Sequence, residues 1–330
     1  MARDAEQAAR LADQARQAQR SGDMVQALQL WQQAYLLNAV SEAIAWEYAS
    51  LLLANIHESD PDLARRVLRH TFGEQPKSPE ARRLTARAAF RNHEHDVAAD
   101  LAKSLLEAPS GDPSIQAEAS YILGVIAEDV DPAAALEHFR TASRLFPASP
   151  LYHVRMGYAH EGLEQLEPAT LAYRRAIELQ PAELEAHFRL AHVLRNRGQD
   201  DAAENERQIH YWLNRSVDNA ANTEAAIEQR MEAFEQLATR LPQYIVGRLQ
   251  LIEFRISHGD HAAAEQHARK LIEWQPELER SYGLYTEALR RGRGDASARE
   301  QLEQLLTDVA AVPVAIRGQI LKVVLEGFPQ

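Results

Sequence analysis

The chain contains no cysteine. That excludes disulfides, thiolate metal sites, iron–sulfur clusters and cysteine nucleophiles. Long hydrophobic runs are also absent, and none approaches the roughly 18 residues that a membrane helix needs. The opening stretch, MARDAEQAARLADQ, lacks the apolar core of a secretory signal. These absences lead us to expect a cytoplasmic protein, with a soluble segment of a longer exported or anchored protein as the alternative. Val, Ile and Thr never run with period two, so essentially no sheet is expected. Without a strand there is no strand–loop–helix phosphate cradle. Positive charge is in deficit: 36 Lys and Arg stand against 48 Asp and Glu, a net charge of −12. A nucleic-acid backbone would be repelled unless a basic patch were segregated. The basic pairs Arg65-Arg66, Arg82-Arg83, Arg174-Arg175 and Arg290-Arg291 read as solvated helix surface.

Ala, Leu, Gln, Glu and Arg are abundant instead, which favours helix. The clearest stretch runs from Pro150 to Pro181, PLYHVRMGYAHEGLEQLEPATLAYRRAIELQP. It reads as two amphipathic helices joined by a short turn and closed by a proline. In the second helix Ala169, Tyr173 and Ala176 fall on one face at offsets 0, +4 and +7, and Pro181 follows at +12. Small residues there admit a neighbouring helix, and the aromatic fills the gap. Gly157 permits a close contact from the first helix. Gly162 is expected to cap that helix in the left-handed conformation.

The same offsets recur as Ala27-Trp31-Ala34-Ala39, Ala64-Leu68-Thr71-Pro76, Val97-Leu101-Ser104-Pro109 and Ala135-Phe139-Ala142-Pro147. Later come Ala264-Ala268-Leu271-Pro276 and the weaker Ala298-Leu302-Leu305. First positions at 27, 64, 97, 135 and 169 give steps of 37, 33, 38 and 34. Between Ala203 and Arg230 the step is only 27. One long helix from about 200 to 218 in place of two is the reading we favour, with another helix near 223–240.

A period near 34 with this pattern resembles the tetratricopeptide repeat family. Gly157, Ala169, Tyr173, Ala176 and Pro181 stand in the family's characteristic places, and His153 stands where the family often has Trp. The resemblance implies an all-α fold, a right-handed α-α superhelix of about eight to nine helix-turn-helix repeats. It implies a single solenoid over 1–330, with regular repeats at about 5–198, irregular helices at about 199–243 and regular repeats at about 244–308. A capping helix at 313–328 would close it, and a homo-oligomer contact through that helix is the alternative. In this family the first helices line a concave groove that holds the ligand. Carried over by position, that implicates Trp46, Tyr121, Tyr158, Glu161, Phe188, His192, Arg195 and Glu253, with Ser50, Val125 and Leu249 beside them. The Lys and Asn clamp of chaperone-binding members is missing: the matching places hold Val154, Tyr158, Phe188 and His192.

Other candidate chemistry is sparse. His93-Glu94-His95-Asp96 has ligand types suited to a metal but sits at an expected turn, where neighbours rarely converge on one ion. His258, His261 and His267 read the same way. His138, His153, His160, His187 and His192 lie in neighbouring repeats, where packing roles are expected. Arg293-Gly294-Asp295 matches an adhesion-like motif by chance, and Asn214-Arg215-Ser216 fits a glycosylation acceptor only in a secreted eukaryotic context. No Ser/His/Asp order stands out. We therefore expect no catalytic residue, metal or cofactor. The expected function is a non-catalytic scaffold holding a peptide, helix or folded protein partner. The alternative is a regulatory or substrate-recruiting part of an enzyme, with groove His and Glu residues near its cleft. Neither nucleic-acid binding nor membrane insertion is expected.

Overall fold

A computed structural model describes residues 2–54, 60–107, 112–217 and 224–308. The all-α expectation holds: 17 helices and no strand occur among the described residues. Contacts divide the chain into two compact units, residues 1–179 and 180–330. The helix expected at 313–328, and the contact proposed through it, lie outside the described residues.

In the first unit the helices are α1 (Ala2–Ser21), α2 (Met24–Leu37), α3 (Glu42–Leu52), α4 (Pro61–Phe72) and α5 (Pro79–Arg91). They continue as α6 (His95–Glu107), α7 (Pro113–Ala127), α8 (Pro132–Leu145), α9 (Pro150–Gly162) and α10 (Leu166–Leu179). Odd-numbered helices are the first of each pair and even-numbered ones the second. The second helices α2, α4, α6 and α8 each pack on their own partner and on the next first helix, α10 packs on α9, and α5 also touches α3 and α7. Starts are set by local chemistry. Asp23, Asp60 and Asp131 accept from the backbone N–H three residues on, at 2.8–3.0 Å. Proline opens α4, α5, α7, α8 and α9, where its missing N–H is harmless.

The second helices bury the expected stripe. Ala27, Trp31, Ala34, Ala135, Phe139, Ala142, Ala169, Tyr173 and Ala176 are all fully enclosed. The third repeat requires a correction. The enclosed residues of α6 are Ala98, Leu101, Ala102 and Leu105, whereas Val97 and Ser104 are half-exposed. Its stripe therefore starts at Ala98, and the steps from 27 through 64, 98, 135 and 169 become 37, 34, 37 and 34. Thr71, at the third place of its stripe, is half-exposed and donates its hydroxyl to the Ala39 carbonyl at 3.1 Å.

Two glycines on first helices make room for the aromatic of the second. A Cβ on Gly157 would lie 2.5 Å from the Tyr173 ring, and one on Gly124 would lie 2.5 Å from the Phe139 ring. Gly157→Ala is therefore expected to cost about 1–3 kcal/mol through overpacking. Urea denaturation would measure it, and a cost below about 0.5 kcal/mol would mean that the ring shifts freely. Gly162 does not cap α9 as expected. It ends the helix with ordinary backbone, 2.9 Å (as a Cβ distance) from Pro132, and the left-handed residue is Glu164 at φ 56°. His93 plays the same part between α5 and α6 at φ 59°.

The second unit comprises α11 (Leu184–Asn196), α12 (Asp200–Val217), α13 (Glu224–Arg240), α14 (Ile245–Ser257), α15 (His261–Trp274), α16 (Glu279–Arg293) and α17 (Asp295–Asp308). Here the first helices are α11, α14 and α16, and α14 touches α16. Ala264, Ala268 and Leu271 of α15, and Ala298, Leu302 and Leu305 of α17, are enclosed at the offsets of the first unit. The 27-residue step falls on α12. Its N-terminal half acts as a second helix, with Ala203 enclosed and Glu206 bonded back to His187 of α11. Its C-terminal half turns Ile209 and Leu213 onto Phe234, Leu237 and Leu241 of the α13 segment. One helix of 18 residues thus serves two successive pairs.

A polar link recurs between repeats. The residue six places after the closing proline donates to that proline's carbonyl. Arg82 reaches Pro76 at 3.2 Å, His187 reaches Pro181 at 2.9 Å, Arg248 reaches Pro242 at 2.8 Å and Tyr282 reaches Pro276 at 2.9 Å. His153 lies 3.3 Å from the Pro147 carbonyl. His153 thus keeps a definite task in the place where the family favours Trp. A carbonyl left open at the end of a helix needs such a donor.

Candidate interaction face

The first helices of the first unit carry a half-buried row of arginines, carboxylates and tyrosines. Arg87 of α5 grips Glu118 of α7 with two nitrogens, Nη2 lying 2.6 Å from Oε2. Arg83 Nη1 reaches the same Oε2 at 3.3 Å. One carboxylate thereby serves two guanidiniums. On the next rung the Tyr121 ring of α7 lies 6.0 Å from Tyr152 of α9 and 6.3 Å from Phe139 of α8. Arg155 of α9 donates to Glu128 at 2.9 Å. Burial pushes the Tyr152 phenol up, and Glu118 and Tyr121 add to that, so it stays protonated. Bidentate arginine and tyrosine suit carboxylate and amide recognition, since both offer directed donors beside an apolar body.

Of the residues expected to bind, Tyr121 sits in this row. Val125 and Tyr158 are half-buried along it. Glu161 accepts the Tyr173 hydroxyl, so its carboxylate is engaged within its own repeat. Trp46 of α3 is half-buried against the core, and Ser50 lies one turn further along. In the second unit Phe188 is 51% exposed, stacked 5.4 Å from His210 of α12 with Arg189 5.9 Å from its ring. His192 and Arg195 are exposed on the same helix. Glu253 pairs with Arg280 of α16. Leu249 must be reassigned: it is buried in the core of its pair.

Arg83, Arg87, Glu118, Tyr152 and Arg155 were not expected. The signal was the stripe of α6. Started at Ala98 rather than Val97, it brings Arg83 and Arg87 into the places held by Val154 and Tyr158 in the next-but-one repeat.

His160 and His187 have local partners. His160 Nδ1 lies 2.8 Å from Gln165. His187 is enclosed, with Nδ1 2.6 Å from Glu206 and Nε2 2.9 Å from the Pro181 carbonyl. Glu94, in the histidine run, accepts from Arg65 at 3.1 Å. No group of three or more metal-ligating residues gathers among the described residues. Arg293 pairs with Glu265, and Asp295 with Arg290, at 2.9 and 2.8 Å. Ser216 is enclosed within α12, which rules out the surface-loop geometry of a glycosylation acceptor. No helix among the described residues is long and apolar enough to cross a membrane.

A family model described as tetratricopeptide repeat matches residues 152–183. No curated protein matches the chain. Among solved structures, the chain is similar to MamA 41-end from Desulfovibrio magneticus RS-1, at 21% identity and TM-score 0.44, over 55% of this chain and 99% of that one. It is also similar to a monomeric mutant of IFIT1 with Gppp-AAAA, at 14% identity and TM-score 0.47, over 86% of this chain and 67% of that one. Residues 152–183 thus match a tetratricopeptide repeat, and the same helix pair with the same enclosed offsets is repeated before and after that unit.

Proposed function

We propose that the protein is a non-catalytic scaffold whose first helices hold a peptide, a helix or a folded protein partner. The row on α5, α7 and α9 carries this reading. Arg83, Arg87 and Arg155 converge beside Tyr121 and Tyr152, in a chain whose net charge is −12. Directed donors beside aromatic rings are what extended peptides and helices require. The exposed Phe188 and His192 of α11 offer a similar mixture in the second unit.

Affinity capture from the source organism's lysate, done with paired variants, tests this. Arg87→Ala and Phe188→Ala alter first helices, whereas Leu171→Glu alters an exposed site on a second helix (60% exposed). We expect proteins captured by the unmodified chain to be lost with at least one of the first two and kept with the third. Identical capture by all three, or loss with Leu171→Glu alone, would sink the reading.

A further inference from the structure

Between α1 and α3 the first-helix face holds a notch of about 170 Å³. Ala12, Arg16, Trp31, Ala43, Trp46 and Glu47 line it. The notch exists because of two small side chains. Ala12 occupies the place that holds Trp46, Arg83, Tyr121 and Val154 in the following repeats, and Ala43 stands at the rim of α3. In addition, α1 and α3 meet less closely than α3 and α5 do. Behind the notch lies Trp31, which is fully enclosed and anchored by its Nε1 on Gln19 Oε1 at 3.0 Å. Trp46 forms a wall.

The chemistry of the lining is apolar with a charged rim, and the charge is one-sided. Arg16 is already committed: it pairs with Asp13 at 3.2 Å and lies 5.6 Å from the Trp31 ring centroid. Glu47 has no cation paired with it among the described residues. A negative charge therefore stands at the mouth, in a chain that is acidic overall. By volume the notch suits one large side chain, since an apolar cavity of roughly 150 Å³ accepts a benzene molecule.

We propose that this notch takes a single leucine-sized apolar side chain from a basic segment of a protein partner. The side chain seats against Trp46 beside Ala43, and a Lys or Arg next to it meets Glu47. Burying the apolar group supplies affinity, and the rim charge selects the flanks. This proposal rests on the reading of the first-helix face as a binding surface, and it names the chemistry of one place on it.

The test uses three fluorescein-labelled nonapeptides on the full chain, read by anisotropy and by tryptophan emission. One has a central Leu with Lys on either side, the second replaces Leu by Ala, and the third replaces Lys by Glu. We expect the first to bind at least tenfold more tightly than either of the others. Ala43→Leu fills the notch from an exposed position and should lose at least tenfold in affinity for the first peptide, with an unchanged thermal melt. Glu47→Lys should abolish the preference for Lys over Glu flanks and leave the preference for Leu over Ala intact. Equal binding of the three peptides, no binding of any, or full binding by Ala43→Leu would overturn the proposal. Peptide binding that survives Ala43→Leu but fails in Arg87→Ala would overturn the notch alone and leave the scaffold reading standing. A tighter fit for a central Phe than for Leu, with the same response to Ala43→Leu, would support the notch and enlarge its occupant.

Discussion

Tyr173→Ala should destabilise the first unit by about 3–5 kcal/mol. The ring is fully enclosed in the stripe of α10. Gly157 has given up its Cβ so that α9 can lie against this ring, and no other atom is placed to fill the space. Removing the ring leaves a cavity bounded by rigid helix backbone, which collapses poorly. The hydroxyl contributes separately, because it donates to Glu161. Tyr173→Phe keeps the packing and loses that bond, so it should cost about 1–3 kcal/mol. Chemical denaturation of the two variants beside the unmodified chain measures both. A loss below about 1 kcal/mol for Tyr173→Ala would show that the stripe is misplaced.

Acid should weaken the second unit through His267. Burial lowers this imidazole, and the cations Arg255, Lys270 and Arg248 lower it further, to about 4 from an ordinary 6.5. Glu235 lies 3.9 Å from its Nε2 but is itself claimed by Arg255. Above pH 6.5 the group is neutral whether the chain is folded or not. As pH falls below 6.5 the unfolded chain takes up a proton that the folded chain refuses until about pH 4. Stability is therefore present above that window and is lost across it, by at most about 3.5 kcal/mol at roughly 1.4 kcal/mol per pH unit. Carboxylates titrate in the same range, so the comparison is with His267→Gln. Its stability should fall less steeply between pH 6.5 and 4.5. Parallel curves for the two proteins would refute the assignment.

Periodicity made the repeat legible. A small residue, an aromatic four places on and another small residue three further is a pattern that only a helix face uses, and its recurrence supplied the pairs. Turn residues were harder to read. Gly162 had the composition of a cap, yet α9 needs its missing side chain against Pro132, and Glu164 carries the left-handed backbone instead. In the third repeat Val97 keeps the sequence offset to Pro109, whereas the enclosed stripe starts one residue later, at Ala98. That single shift hid Arg83 and Arg87. Contacts between first helices were out of reach for a further reason: they join residues about 30 places apart, such as Arg87 and Glu118, and depend on how each pair is rotated. The short step at Ala203 was visible as a count. Only the enclosed Ile209 and Leu213 show that α12 meets it by dividing one helix between two neighbours.

The bond to the closing prolines Pro76, Pro147, Pro181, Pro242 and Pro276 bears on where this chain can be cut. A fragment that ends at Pro147, Pro181, Pro242 or Pro276 stops at the customary border of a repeat, but it discards the donor that satisfies its last carbonyl. The smallest self-contained pieces overlap: each extends six residues beyond its proline into the helix of its successor. Grafts and truncations drawn at His153, His187, Arg248 or Tyr282 keep the seam closed, and the modules of this protein are shingled rather than laid end to end.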